Sequence, residues 1–207
     1  PLLIDWNTPF GIAPFDLIRP EHFKPAVEEA IATARKEIDH IVSDPAEPDF
    51  TNTIEALEKA GSLLNLITPV LFNLNSSDTT PELQEAARDV SPLLTNFSND
   101  ISLNPKLFTR VKSVYDRREG LVTDPEKLIL LDRKYKNFVR GGAGLDDEAK
   151  ERFRVITVEL STLSLKFEEN VLAETNDFTL HLTSEEELSG LPEGVCEAAA
   201  ALAQEKG

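Results

Sequence analysis

Apolar residues recur every three or four positions along most of the chain, and this spacing predicts a succession of amphipathic helices. A polar capping residue followed by proline is typical of a helix start, and that pair recurs along the sequence. The predicted helices run from Glu21 to about Ser43, from a cap at Thr51-Asn52-Thr53 to about Asn75, and onward from Thr80-Pro81-Glu82, Asn104-Pro105 and Thr123-Asp124-Pro125-Glu126. We expect bends at Pro69 and Pro92, because an internal proline removes a backbone donor.

The later part of the chain changes its pattern twice. Glycines at 141, 142 and 144 end the fifth helix, and a sixth, longer than 25 residues, begins at Asp146-Asp147-Glu148. Its apolar stripe contains Phe153, Ile156, Leu160, Leu163, Phe167 and Val171. Beyond it, Phe178, Leu180 and Leu182 alternate with Thr179, His181 and Thr183, which predicts one short strand. A short helix over Glu185 to Leu188 and a helix start at Leu191-Pro192-Glu193 follow.

These elements predict a mainly α fold, a multi-helix array with long antiparallel helices, an extended N-terminal arm and one short strand near the C-terminus. The predicted regions are a proline-rich arm over 1–20, a helical domain over 21–175, and a strand with a helix over 176–207. In the arm, Trp6, Phe10 and Phe15 are expected to pack on a surface outside the arm itself. A lone strand leaves its backbone groups unpaired, so we expect it to pair with another extended segment or with polypeptide outside this sequence.

The charge balance excludes two classes of partner. The 21 Lys and Arg residues face 37 Asp and Glu residues, so a formal charge of −16 repels nucleic acids and anionic membranes. Apolar runs such as 128–131 are far shorter than the roughly 18 residues of a membrane helix. We expect a soluble protein. The chain begins at Pro1 without Met and ends within a helical pattern, so we expect both ends to be boundaries inside a longer polypeptide, which leaves cytoplasm and periplasm both open.

The residues that carry metal or nucleophilic chemistry are few and scattered. His22, His40 and His181 lack the spacing of a zinc motif, and we interpret them as partly exposed structural residues. Cys196 is the single cysteine, which excludes an intrachain disulfide, and it is interpreted as a helix-packing residue. Arg140, before the glycines, either binds an anion or interacts with the helix C-terminus; the second interpretation is favoured.

No other catalytic arrangement emerges from the sequence. The Gly-x-Ser-x-Gly elbow is absent, and the acidic pairs are typical of solvated faces and helix N-termini. The glycine cluster follows a helix instead of a strand and lacks the Gly-Lys-Ser or Gly-Lys-Thr of a phosphate loop. We therefore predict no catalytic, cofactor-binding or metal-binding residue in this chain, and no tightly bound zinc.

Several stretches, taken in order, carry a family resemblance. They are Asn7-Thr8-Pro9-Phe10-Gly11 with Pro14-Phe15, Arg19-Pro20-Glu21-His22-Phe23-Lys24-Pro25-Ala26, Asp49-Phe50-Thr51-Asn52-Thr53-Ile54-Glu55-Ala56-Leu57-Glu58, Leu103-Asn104-Pro105-Lys106-Leu107-Phe108, Val114-Tyr115, Phe138-Val139-Arg140-Gly141-Gly142-Ala143-Gly144-Leu145, Phe167-Glu168-Glu169-Asn170-Val171-Leu172 and Gly190-Leu191-Pro192-Glu193. The chain resembles the N-terminal half of the thimet oligopeptidase family of zinc metallopeptidases. The likeness is greatest to the bacterial peptidyl-dipeptidase and oligopeptidase A branch, and the aromatic arm points to the peptidyl-dipeptidases.

The resemblance implies a two-lobed, mostly helical enzyme in which zinc sits on a His-Glu-x-x-His helix with a downstream Glu as third ligand. That motif does not occur in this chain, so no catalytic residue transfers to any position here. The implied parent cleaves short peptides with zinc as cofactor, and this piece would form part of the substrate-channel wall, inactive without the catalytic lobe.

Two hypotheses follow from these observations. The first is the non-catalytic N-terminal part of a zinc peptidyl-dipeptidase or oligopeptidase. The second is a free-standing helical module that binds peptides or a partner without hydrolysis. A large apolar patch exposed where a second lobe packs would favour the first. The sequence leaves open dipeptide release against endopeptidase cleavage, substrate preference, substrate-contacting residues and oligomeric state.

Overall fold

The computed structural model describes residues 1–122 and 124–206, and most of them are helical. The mainly α class predicted from the sequence is confirmed. The helices are α1 Phe23–Ser43, α2 Ala56–Lys59, α3 Ser62–Ser77, α4 Pro81–Ser102, α5 Pro105–Asp116, α6 Arg118–Leu121, α7 Pro125–Arg140, α8 Asp147–Asp177, α9 Glu185–Leu188 and α10 Glu193–Lys206, with short 3-10 turns at Pro9–Gly11 and Pro20–His22 and a π-helical turn at Phe50–Glu55. Within the described ranges, no helix is long and apolar enough to cross a membrane.

The predicted cap and proline pairs begin three of these helices. The Thr80 side chain accepts a hydrogen bond from the Leu83 amide, and Asn104 accepts from the amides of Lys106 and Leu107. Asp124 accepts from the Glu126 amide at 2.8 Å. Each cap satisfies amides that have no partner within the first turn, and the proline that follows needs none. Thr123, named in the same predicted start, lies outside the described residues.

The second predicted helix differs from the structure in two respects. Its cap is Asp49, which exchanges hydrogen bonds with Asn52 at 2.7 and 2.9 Å, so the helical turn begins at Phe50 and not at Thr51-Asn52-Thr53. The predicted single helix is also interrupted after Lys59. Gly61 there has φ +76°, a left-handed conformation that ends α2 and precedes α3. Pro69 lies inside α3 and Pro92 inside α4, and the bends expected at them stay predictions.

Helices α1, α3 and α4 surround the first core. Gly61 at the start of α3 meets Glu37 near the end of α1, so these two helices run antiparallel. Lys24 pairs with Asp89, and Arg35, farther along α1, pairs with Asp100, which is the same number of residues farther along α4. Helices α1 and α4 therefore run parallel. The array is therefore not antiparallel throughout. The fully enclosed side chains of this core include Phe23, Val27, Ile67, Leu71 and Val90.

Helices α5 and α7 and the π-helical turn surround the second core. Its enclosed side chains include Ile54, Leu107, Val111, Val114 and Leu131. Each such side chain contributes about 1.5–3 kcal/mol by leaving water. Helix α1 joins the two cores, because its residues 26–34 belong to the first and Ile38 and Ile41 to the second. Rings from α5 and α7 stack beside the second core, as in Tyr115 on Tyr135 with centroids 3.9 Å apart.

Arg110 of α5 enters the second core region with only 8% of its surface exposed. Its guanidinium donates to the carbonyl of Asp44 at 2.8 Å and to the Asn52 side-chain oxygen at 3.2 Å. Arg117, about two turns farther along and directly after the last residue of α5, donates to the Pro48 carbonyl and the Glu47 carboxylate of the same loop. An arginine within α5 and another at its C-terminal end thus hold the proline-rich loop 44–49.

The N-terminal arm follows the prediction only in part. Leu2, Ala13 and Ile18 are buried in the first core, and Trp6 packs partly against it. Phe10 is 99% exposed, so no surface for it to pack on lies among the described residues, and its expected packing stays a prediction. Its backbone explains the orientation, since Phe10 has φ +61° within a tight 3-10 turn between Pro9 and Gly11.

The chain divides into two units, Pro1 to Glu169 and Asn170 onward. The second unit contains the end of α8, an irregular segment over 178–183, α9 and α10. The strand predicted at Phe178, Leu180 and Leu182 is wrong, and the described residues contain no strand. Alternating side chains suit a strand, but a strand also requires a neighbour that shares its backbone hydrogen bonds. The predicted boundaries after residues 20 and 175 stay predictions.

Candidate functional site

The three histidines occupy unrelated places. In the first unit, the His22 imidazole Nδ1 accepts a hydrogen bond from the Arg19 amide at 3.0 Å, which fixes the entry to α1. His40 lies on the exposed side of α1, whereas His181 lies in the irregular segment of the second unit. Among residues 1–122 and 124–206, no three His, Cys, Asp or Glu side chains are placed to hold a metal ion. These donors do not fit a zinc site.

The other sequence candidates have local structural surroundings. Arg140 lies in the last turn of α7, where a cation interacts favourably with the helix C-terminus. Gly142 follows with φ +88°, and a Cβ on it would come within 2.9 Å of a Leu145 methyl group. The glycine cluster is thus a tight turn between helices, as predicted. Cys196 lies on α10 and is partly buried.

A cavity of about 400 Å³ opens in the first unit between α3, α4 and α7. Its apolar floor comes from Leu64, Phe97 and Ile101, where the two cores meet. Polar groups surround that floor, among them Asn65, Thr68, Ser98, Asn137 and the ammonium of Lys134, which pairs with Glu58. Such a cavity suits one apolar side chain with amide hydrogen bonds around it. Its described lining contains hydroxyls but no histidine or free carboxylate to activate them.

Helix α8 presents a second surface. Amphipathic helices usually turn their apolar side toward the protein, but α8 turns its polar side inward. The side that faces α4 is polar. The Asn99 amide donates to the Thr157 hydroxyl at 2.8 Å, Arg154 pairs with Asp100 at 2.8 Å, and Glu169 pairs with Arg88 at 2.9 Å. Leu165 is the one buried residue of the helix among those described. The polar side of α8 therefore attaches it to the first unit.

The opposite side of α8 is apolar and faces solvent. Ile156, Leu160, Leu163 and Phe167 are 51%, 59%, 55% and 68% exposed, and their spacing of four, three and four residues places them in one line. These four residues are called the apolar stripe below. An amphipathic helix normally turns such a line toward a core. The sequence pattern revealed the line itself but not the direction in which it faces.

The chain is similar to bacterial peptidases over all or nearly all of its length. No family model matches the chain. Dipeptidyl carboxypeptidase from Salmonella typhimurium strain LT2 is 40% identical over all 207 residues, and the same enzyme from Escherichia coli strain K12 is 37% identical. Oligopeptidase A from Escherichia coli strain K12 is 31% identical over 199 residues, 96% of the chain. The chain thus matches the N-terminal part of dipeptidyl carboxypeptidase and oligopeptidase A, proteins of the thimet oligopeptidase family, at 30–40% identity.

The chain spans about 30% of the length of the dipeptidyl carboxypeptidases it matches, and 29% of oligopeptidase A. It therefore corresponds to less of these thimet oligopeptidase relatives than the N-terminal half that the sequence resemblance implied. The full-length match to the dipeptidyl carboxypeptidases includes the arm, whereas the oligopeptidases A match slightly less of the chain.

Proposed function

We propose that the chain is the non-catalytic N-terminal part of a zinc-dependent peptidyl-dipeptidase or oligopeptidase that cleaves short peptides. The observation that carries the proposal is the 40% identity to a dipeptidyl carboxypeptidase over all 207 residues, without a gap at either end of the chain. A match of this length extends through both cores and the arm, so it concerns a whole folded region and not one motif.

In this proposal the chain supplies structure and not reacting groups. Zinc would activate the water that attacks the peptide bond, and its ligands would lie in the remainder of the polypeptide. Helices α3, α4 and α7 would form part of the channel wall, with the cavity of about 400 Å³ open to one side chain of a peptide. Under this proposal the 207-residue chain alone does not hydrolyse peptides.

The test compares the 207-residue chain with the protein expressed from the complete gene. Both are given an N-acetylated tetrapeptide and equimolar zinc, and the products are identified by mass spectrometry. We expect hydrolysis only by the longer protein, abolished by a chelator and restored by zinc. Release of the C-terminal dipeptide would indicate a peptidyl-dipeptidase. Cleavage at internal bonds of longer blocked peptides would indicate an oligopeptidase. Hydrolysis by the 207-residue chain that resists the chelator would contradict the proposal.

A free-standing binding module is the second candidate, and the cavity between α3, α4 and α7 favours it. Under this alternative, neither protein hydrolyses peptides, but the 207-residue chain binds them. The matched variants are Ser98→Trp, which fills the cavity, and Thr95→Trp on the same helix outside the cavity lining. The binding module would be favoured if Ser98→Trp loses peptide binding, Thr95→Trp keeps it, and the longer protein does not hydrolyse peptides.

A further inference from the structure

We infer that the apolar stripe of α8 is the surface on which the remainder of the same polypeptide docks. The inference rests on the proposed function for the existence of that remainder. It begins with the four side chains Ile156, Leu160, Leu163 and Phe167, each more than half exposed although all are large and apolar. A contiguous apolar line of this kind on a soluble protein marks an interaction surface.

The attachment of α8 to the first unit strengthens the inference. Its inward contacts are the Asn99 and Thr157 hydrogen bonds and the ion pairs of Arg154 and Glu169. Exposed or half-exposed pairs of this type contribute little to stability, typically below about 1 kcal/mol each. Because the helix keeps its polar side inward, its apolar side is available for a second contact and cannot also reach the first core.

The length of the relatives identifies the occupant. The matched proteins contain more than three times as many residues as this chain. The stripe ends at Phe167, 40 residues before Gly207, so a continuation would be tethered close to it. Tethering on this scale gives an effective concentration in the millimolar range. A second copy of the chain at micromolar concentration would compete poorly with a surface in the same polypeptide.

A lipid surface is a poorer occupant. Helices that lie on membranes carry lysine and arginine on their polar side and are attracted to anionic lipids. The chain has a formal charge of −16, Glu159 directly precedes Leu160 of the stripe, and Glu168 directly follows Phe167. Acidic groups beside the apolar line oppose binding to anionic headgroups.

The second unit gives an independent indication of a missing partner. None of its described side chains is buried, although Phe178, Leu180, Val195 and Leu202 are large and apolar. A unit of fewer than 40 residues without enclosed side chains has no core to stabilise it. It therefore also requires a surface from outside the described residues.

The experiment measures the chemical accessibility of the stripe. Leu160→Cys is introduced into the longer protein and into the 207-residue chain, with the native cysteines, Cys196 included, replaced by serine. Ile129→Cys is the matched control, because Ile129 is 54% exposed on α7 against 59% for Leu160 on α8. The rate of reaction with a water-soluble maleimide is measured for each native protein and again in urea.

We expect the Leu160→Cys thiol of the native longer protein to react at least ten times more slowly than in urea, and Ile129→Cys to react at similar rates in both. In the 207-residue chain, Leu160→Cys should react freely. Leu163→Cys repeats the measurement if the first variant fails to fold. Equal rates for Leu160→Cys and Ile129→Cys in the native longer protein would overturn the inference. Protection in the 207-residue chain that increases with protein concentration would also overturn it, in favour of a second copy.

Failure of this inference is distinguishable from failure of the proposed function. Peptide hydrolysis is measured on the same preparations. An active longer protein with an accessible stripe contradicts docking alone, whereas an inactive longer protein with a protected stripe contradicts the peptidase proposal alone.

Discussion

Arg110 illustrates how one side chain organises a connection between helices. It is the one charged residue that is buried among those described, and its guanidinium donates to a backbone carbonyl and to an amide side chain of the loop 44–52. A buried charge is tolerated when such bonds replace its water. The loop therefore takes its position from α5, more than 55 residues away in sequence.

Replacing Arg110 with Ala removes these donors, so the Asp44 carbonyl loses its arginine partner and the Asn52 oxygen keeps only the Asp49 amide and the Thr53 hydroxyl. We expect the free energy of unfolding to fall by about 2–3 kcal/mol, because hydrogen bonds from charged donors are the stronger ones. Urea unfolding followed by circular dichroism measures the change. Arg133→Ala, an exposed arginine on α7, is the control and should alter stability by less than about 0.5 kcal/mol. Equal effects of the two variants would contradict this role of Arg110.

Lys127 and Glu55 form a second contact at the residue scale, with 2.8 Å between ammonium and carboxylate. The hydrogen bond from Lys127 lowers the pKa of Glu55 below its ordinary value, and the same bond raises the pKa of Lys127. A carboxylate with a lowered folded pKa contributes stability above its unfolded pKa, and that contribution disappears as pH falls through the folded pKa.

In Lys127→Gln the pKa of Glu55 should therefore return toward its ordinary value. Carboxyl-carbon NMR titration of Glu55 provides the measurement. The control is Lys112→Gln, because Lys112 pairs with Asp116 instead and its loss should leave the Glu55 titration unchanged. A Glu55 pKa that is the same in wild type and Lys127→Gln would contradict the assigned cause.

At the scale of elements, Gly61 separates two helices that the apolar pattern joins. A Cβ at this position would meet only the Ala34 methyl group, at 3.8 Å, so there is room for a side chain. The constraint is the backbone, since φ +76° is unfavourable for residues with a Cβ. The Gly61 amide also donates to the Glu37 carboxylate at 2.8 Å, which fixes the start of α3 against α1.

Gly61→Ala should lower the free energy of unfolding by about 1–2 kcal/mol, and Gly61→Asn by less, because asparagine tolerates the left-handed region. Gly120→Ala is the matched control. Gly120 is exposed in α6 with open space around it and no positive φ, so alanine should leave stability unchanged or raise it by up to about 1 kcal/mol. Thermal unfolding measures the change in stability of the three variants and tests the expected order. If Gly61→Ala leaves stability unchanged, the left-handed turn is not strained by a side chain.

The sequence predicted the helices well where a local signal marks their ends. Asn104 before Pro105 and Asp124 before Pro125 contain all the chemistry of a helix start within two residues. The sequence pattern did not predict the helix break at Gly61, because the apolar spacing of three to four residues continues across it. The direction of a helix face is also not local, so the pattern of α8 predicted a stripe at Leu160 and Phe167 but could not show that α4 contacts the other side.

The candidate site was less predictable than the fold, because no local sequence signal marks it. The side chains that line the cavity, such as Leu64, Phe97 and Asn137, come from three helices and share no motif. Only their packing brings them together. The error at Phe178 to Leu182 has a related cause, since the alternation describes the side chains of a strand but says nothing about a partner for its backbone.

At the scale of the whole molecule, the two units should differ in local stability. Helix α5 in the first unit buries Leu107, Val111 and Val114, whereas α10 in the second unit buries none of its described side chains. Amide protection follows burial and local packing. In the 207-residue chain, hydrogen exchange measured by mass spectrometry should therefore be at least tenfold faster for peptides of α10 than for peptides of α5. Equal protection of α10 and α5 would contradict the expectation that the second unit is locally less stable than the first.

The outward apolar side of α8 also has a consequence during synthesis on the ribosome. Under the proposed function, and at the length of the dipeptidyl carboxypeptidase it matches, the chain emerges first, and roughly 480 further residues, made at about 5–20 per second, would occupy the ribosome for roughly 25–100 s. For that time Leu160 and Phe167 would face solvent while their covering surface is still being translated. The nascent chain would then be a client for a holdase chaperone, and slower translation of the remainder would lower the yield of soluble protein.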